Sequence, residues 1–230
     1  MIPKRTHQAR NTASEKKSAE NATSEHASDR KAVLRLAVLC RFDEAHARQV
    51  DRLAVMLFDA FRDLHLLLPQ DRLQLEDAAL LHDIGWIQGQ RRHHKTALRL
   101  ILKSPVLPWS PKQRLEIGSI VRYHRRALPS LSHDHFQALP VVDRHRVKWM
   151  AGLLRLADGL DFAHDQNVQT LAGRLTPARL TICCQCRQPT ALDTDTARAK
   201  ASLLALMIRR PIRILATPDC TYRPAAGQTA

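Results

Sequence analysis

Aromatic side chains make up only 4% of this 230-residue chain, and glycine occurs only seven times. Sandwiches and barrels rely on aromatic and β-branched strands, and phosphate-loop folds need clustered glycines, so both classes are disfavoured and helices become the default. Long apolar runs are absent as well. No stretch approaches the roughly 20 consecutive apolar residues of a membrane span, and the N-terminal segment lacks the apolar middle of a secretory signal. A cytoplasmic protein with no membrane partner is expected. Five cysteines, an odd number, with three crowded as Cys183, Cys184 and Cys186, do not form a disulfide framework in a chain of this size. With Cys220 as the one distant fourth thiol they are also poorly spaced for zinc, and they read as reduced, half-buried strand thiols.

Acidic residues are in the minority. Lys and Arg number 36 against 22 Asp and Glu, a formal net charge of +14. Such a balance favours an anionic partner. A nucleotide, polyphosphate, RNA or simply a polar surface satisfies the charge, which alone does not choose among them, though the aromatic platforms that stack bases are few and nucleic acid is not favoured.

Residues 1–29 are Ser, Thr, Asn, Ala, Glu and Lys with almost no bulky apolar side chain. They bury too little to offset the entropy of ordering and read as a disordered tail. From Lys31 a short apolar helix runs to about Cys40. Asp43 then caps a helix whose Val50, Leu53, Leu57, Phe58, Phe61 and Leu64 recur at three and four, with His46 on the same face. After Pro69, Leu75, Ala78, Ala79 and His82 share a helical face before Gly85. A helix from about His93 to Lys103 turns Leu98, Ile101 and Leu102 inward. Ser110 and Pro111 cap and start the next, whose inner face reads Ile117, Ile120, Val121 and His124. A long loop from Arg125 to about Pro140 precedes a helix from about Asp143, with Val147, Ala151, Leu154 and Asp158 on one stripe. Beyond Thr170, "RLTICCQC" and "PIRILA" read as strands and "TARAKASLLALMI" as helix. The expected fold is mainly α: a helical bundle over 30–170, a small strand-helix-strand appendage over 171–217, and a frayed tail over 218–230.

Four helices thus place His46, His82 with Asp83, His124 and Asp158 on faces that pattern as buried. A buried charge is costly unless it is paired or coordinates a metal, so the repetition calls for a common explanation. Imidazole and carboxylate together suit one or two divalent ions such as Mn²⁺, Fe²⁺, Co²⁺, Zn²⁺ or Mg²⁺. Such an ion lowers the pKa of bound water and neutralises phosphoryl oxygens. Between Trp86 and Met150 there are thirteen Lys and Arg against three acids. Among them Arg91, Arg92 and Lys95 flank the His93-His94 pair, and Arg122, Arg125 and Arg126 flank His124, as candidate phosphate clamps. Lys103, Lys112 and Arg114 read as a solvated basic face.

In order, "HARQV", "LLHDIG", "RRHHK", "VRYHRRALPSL" and "LLRLADGLD" resemble the HD-domain phosphohydrolase superfamily. More narrowly, with the closing "IRRPIRIL", they look like the helical C-terminal HD domain of the exopolyphosphatase/guanosine pentaphosphate phosphohydrolase (Ppx/GppA) family. The resemblance runs from about Ala32 to Ala216 and implies an HD-domain helical bundle followed by a small terminal strand-helix-strand piece. It implies that His46, His82, Asp83 and Asp158 are metal ligands, and that His93 or His94, with His124, hold a second ion. Asp83 and Asp161 are then the candidate catalytic acids, Asp161 at an acidic position that supports the ligands. Thr96 and Ala97, and Phe162 and Ala163 ahead of His164, depart from related sequences. The namesake enzymes hydrolyse phosphoanhydrides in an actin-like domain, which the scarcity of glycine does not supply here, so chemistry is expected in the HD site. The resemblance implies a metal-dependent phosphohydrolase acting on a nucleotide or polyphosphate through metal-activated water. Its alternative is a non-catalytic HD module that binds such a ligand, or docks on a separate phosphatase subunit or a second copy.

Overall fold

The computed structural model describes residues 29–218. The expected tails, apart from positions 29 and 218, lie outside the described residues, as does Cys220. Helix α1 spans 29–39, with Val33, Leu36 and Ala37 buried but Val38 and Leu39 exposed, so it is amphipathic. Helix α2 (Glu44–Ala60) starts where the Asp43 side chain accepts from the His46 N–H, as its cap chemistry dictates. Val50, Leu53 and Leu57 are fully buried along its inner face. A short α3 (Arg62–His65) leads to α4 (Pro69–Leu81), whose Leu75, Ala78 and Ala79 are likewise buried.

His82 caps α4 and is followed by a tight 3-10 turn, Ile84–Gln88, and then by α5 (His93–Lys103). The inner face of α5 is Ala97 and Ile101; Leu102, expected inside, is exposed. Ser110, Pro111 and Gln113 form a capping box at the start of α6 (Pro111–Arg122). The loop after Arg125 contains a one-turn helix, α7 (Asp134–Gln137), which buries Phe136. The long α8 (Val141–Leu160) begins two residues before the expected start and runs through the centre of the core.

The C-terminal part has one strand more than expected. Strand β1 (Val168–Leu175) pairs antiparallel with β2 (Leu180–Cys186), and β2 pairs parallel with β3 (Ile212–Thr217). The parallel pair needs a crossover. It is made by α9 (Thr194–Lys200) and α10 (Ser202–Ile208), which pack on α8. In β2, Leu180, Ile182, Cys184 and Cys186 alternate inward, while Cys183 points to the other face and pairs across β1 with Ala172. Adjacent strand cysteines therefore do not converge on one ion, and among the described residues no cysteine joins a metal-ligating cluster. Nor is any helix of the described residues long and apolar enough to cross a membrane.

Arg155 of α8 holds the parts together. Its buried guanidinium donates to the Tyr123 carbonyl at 3.0 Å, and to the Arg126 and Lys200 carbonyls at 3.4 Å. The end of α6, the following basic turn and the crossover helix are thus fixed by one side chain.

Gly85 is required by a close approach. A Cβ there would lie 2.0 Å from the His93 carbonyl oxygen and 2.8 Å from the Ala97 nitrogen. The turn after His82 and Asp83 can therefore touch the first turn of α5 only without a side chain. Gly85→Ala should cost about 2 kcal/mol or more, as overpacking against rigid backbone does, and lower the melting temperature. A Tm equal to that of the parent would contradict this packing.

Candidate metal centre

Helix phase brings His46 from α2, His82 and Asp83 from the end of α4, His93 from the start of α5 and His124 from just past α6 into one place. His46, His82, His93 and His124 are all at most 1% exposed. His46, His82 and Asp83 form one group whose ligand atoms lie within 4.8 Å of one another; Asp83, His93 and His124 form a second. Asp83 belongs to both. Its Oδ2 lies 3.4 Å from His82 Nε2, and its Oδ1 lies 3.1 Å from His93 Nε2 and 3.5 Å from His124 Nε2.

The four rings are oriented from behind by groups that only accept hydrogen bonds. His82 Nδ1 donates to the Ala79 carbonyl (2.7 Å), His93 Nδ1 to the Gln90 carbonyl (2.9 Å), His124 Nδ1 to the Val121 carbonyl (2.7 Å), and His46 Nδ1 to Asp161 Oδ2 (2.8 Å). A neutral imidazole with its proton on Nδ1 offers only a lone pair at Nε2. Those Nε2 atoms face one another, His46 to His82 at 3.2 Å and His93 to His124 at 3.3 Å, around an ionised carboxylate, and His46 retains a second proton when no ion is bound. Acceptors crowded together in this way repel unless a cation lies among them. The donor set therefore fits a divalent ion, and the arrangement of Nδ1 partners is the one metal-ligating histidines use.

Of the adjacent pair, His93 faces the cluster and His94, expected as its alternative, does not. Asp161, expected as a catalytic acid at a position that supports the ligands, lies behind His46 in that supporting position, with its other oxygen taking the Gln166 N–H at 2.8 Å. It positions His46 and touches nothing in front of it. Asp158 stands at the edge: Oδ1 is 3.7 Å from His46 Nε2, and Oδ2 forms an ion pair with Lys200 of α9. Lys200 was not foreseen, nor was the lid that His164 makes by stacking on His46 at 3.6 Å between ring centroids.

Beside the cluster lies a cleft of about 450 Å³ lined by Arg91, Arg92, His94, Lys95, Arg122, Arg126 and His133. An adjoining hollow shares Arg91, Arg92, His94 and Arg126 and adds Gln90 and Arg125. Arg125 also reaches His93 Nε2 at 3.4 Å, linking cleft to cluster. All six expected phosphate-binding cations thus gather on one side. Two buried polar atoms at the cleft, His94 Nδ1 and Arg122 Nη1, have no hydrogen-bond partner. Several basic residues outside it are engaged elsewhere. Lys112 pairs with Asp143 at 3.0 Å yet lies on the solvated face as expected, Arg146 binds Asp71 and Asp143, and the half-buried Arg114 donates to the Trp109 carbonyl and is a structural tie.

Charge follows burial and neighbours. Burial favours neutral Asp83, but its interactions with the surrounding His82, His93 and His124 rings outweigh it and hold the carboxyl well below its usual range. Burial likewise favours neutral Asp158, and Lys200 above all keeps it ionised. His124 is pushed well below an ordinary imidazole by burial. Burial, then the charge of Arg122, pushes His94 down to about 3, so it stays neutral in the cleft. His46 moves the other way: burial would lower it, but the hydrogen bonds and charges of Asp158 and Asp161 raise it to about 9.

What fold and cluster define is a helical domain with an inward-facing His/Asp donor set beside a cationic cleft. The family model described as Ppx/GppA phosphatase, domain III, matches residues 30–182, more than half of the chain, and the chain belongs to that family. The matched region contains both donor groups and the whole cleft; Lys200 lies beyond it. A search of curated proteins returns no match.

A proton held on His46 up to pH about 9 competes with any ion for that nitrogen. Apparent Mn²⁺ affinity should therefore rise about tenfold per pH unit from pH 6.5 towards 9, where one bound proton is displaced per ion, and level off above it. Calorimetric titration across that range measures this, and a flat profile would contradict it.

Proposed function

We propose that this chain is an HD-type, metal-dependent phosphohydrolase that acts on a phosphorylated small molecule such as a nucleotide or polyphosphate. The observation that carries the reading is the set of four imidazole lone pairs and a shared carboxylate converging beside a cleft of carboxylate-free cations. A bound divalent ion supplies an activated water and neutralises charge developing on the phosphoryl oxygens. His46, His82 and Asp83 would hold one ion, with Asp158 at its side, and Asp83, His93 and His124 a second. The residues of the chain supply the rest. Arg91, Arg92, Lys95, Arg122, Arg125 and Arg126 bind and orient the phosphates, and guanidinium forks suit two oxygens at once. Neutral His94 and the unpaired Nη1 of Arg122 offer further contacts at the cleft floor. Asp161 keeps the His46 proton on Nδ1, so that Nε2 remains a donor of electrons.

A second reading, a module that binds metal and phosphate without turnover or docks on a phosphatase subunit, is favoured by one observation. Lys200 already neutralises Asp158, the fourth ligand of the HD pattern. Phosphate release from a nucleotide and polyphosphate panel with added Mn²⁺ separates the two. Turnover supports the enzyme, and metal binding without turnover on any member supports the module.

His82→Ala and Asp83→Ala should each remove metal binding and lower turnover at least about 100-fold, as loss of charge-stabilising groups does, with far-ultraviolet circular dichroism unchanged. Full activity in either variant contradicts the assignment.

Arg92 and Arg126 offer a test that separates binding from folding. Both have left-handed backbones, φ 62° and 60°, which cost a non-glycine residue roughly 1 kcal/mol. Arg92→Gly and Arg126→Gly should therefore melt no lower than the parent while raising KM about tenfold, the loss of a charge-assisted contact. An unchanged KM in both would remove the cleft from the account.

A further inference from the structure

Lys200 brings an ammonium to Asp158 at the edge of the donor cluster, and the appendage delivers it. It ends α9, and its carbonyl accepts from Arg155 at 3.4 Å. Its side chain is only 18% exposed and that of Asp158 only 8%. The approach is built into α8, because a Cβ on Gly159 would lie 3.0 Å from Lys200 Cβ and 3.1 Å from Ala197 Cα. Glycine next to Asp158 is what lets the two helices close. The Lys200 ammonium also lies 5.4 Å from the centre of the Phe162 ring, over its face. Phe162 thereby steadies this ammonium beside Asp158.

An ion held by His46 and His82 and a lysine held by Asp158 draw on one carboxylate. Both are cations, and only the lysine is tethered. Its four-carbon stem lets the ammonium swing while its backbone stays fixed.

We propose, on the metal-dependent reading above, that Lys200 is a further substrate-contacting residue of this site: it neutralises Asp158 when no ion is bound and turns to a phosphoryl oxygen when an ion takes that carboxylate. Ion and phosphate then bind as linked events, the first freeing the cation that the second uses. The appendage becomes part of the reaction site and not a structural addition.

The test uses the full chain, with Mn²⁺ as one probe and inorganic phosphate on the Mn²⁺-loaded protein as the other, both by calorimetry. Lys200→Met should bind Mn²⁺ about tenfold more tightly, having lost the competing cation, and bind phosphate about tenfold more weakly, a coupling of ordinary size. Lys200→Gln, which keeps a hydrogen bond to Asp158 without the charge, should show the same two opposite shifts and covers the case that methionine disturbs folding. A merely structural lysine would weaken both probes together, and that result, or two unchanged affinities, overturns the proposal. Absence of Mn²⁺ binding in parent and variants alike would instead overturn the metal reading on which it rests.

Discussion

Electron-pair donors without hydrogens repel one another, and the interior of this protein collects them. Four imidazoles are turned by carbonyl and carboxylate acceptors at Nδ1, so their Nε2 atoms face inward around the Asp83 carboxylate, and each offers a lone pair once His46 has lost its second proton. Positive charge must enter such a place. Without an ion the protein supplies it in two ways, by a proton retained on His46 and by the Lys200 ammonium on Asp158. Both are weaker solutions than a divalent cation, which meets several lone pairs at once. The orientation of the rings, the perturbed protonation and the reach of Lys200 all follow from this single requirement.

The fold meets it with helix ends. His82 caps α4 and His124 follows α6, so both rings sit where last-turn carbonyls are left free to accept from Nδ1, while His93 opens α5 and donates to the Gln90 carbonyl of the preceding turn. Cationic side chains come from the same ends: Arg91 and Arg92 precede α5, and Arg125 and Arg126 follow α6. The candidate metal donors and the cleft's cations are therefore neighbours in sequence and in space. Arg155, from the middle of α8, bonds the carbonyls of Tyr123, Arg126 and Lys200 and so keeps cluster, cleft and appendage in one frame.

Much of this was legible in the sequence, because helix phase is a strong signal. His46, His82, His124 and Asp158 fell on apolar stripes, and the structure buries all four. His93 and His94 could not be told apart by spacing. Neighbours on a helix differ by roughly 100°, and which one turned inward depended on the left-handed Arg92 that sets the start of α5. Strand β1 was missed because "VQTLAGRL" does not alternate; its burial is set by Phe61 packing against Gly173. Lys200 carried no signal at all. It is an ordinary lysine on a short surface helix until the parallel crossover folds α9 onto α8, and long-range placement of that kind has no local pattern.

The central claim is that the shared Asp83 carboxylate joins two donor groups into one cation site. Electron paramagnetic resonance of the chain titrated with Mn²⁺ tests it most directly. The account predicts two ions per chain at saturation, with the broad spectrum of a spin-coupled pair bridged by Asp83. Saturation without bound Mn²⁺, or with only the six-line signal of isolated ions, would contradict it.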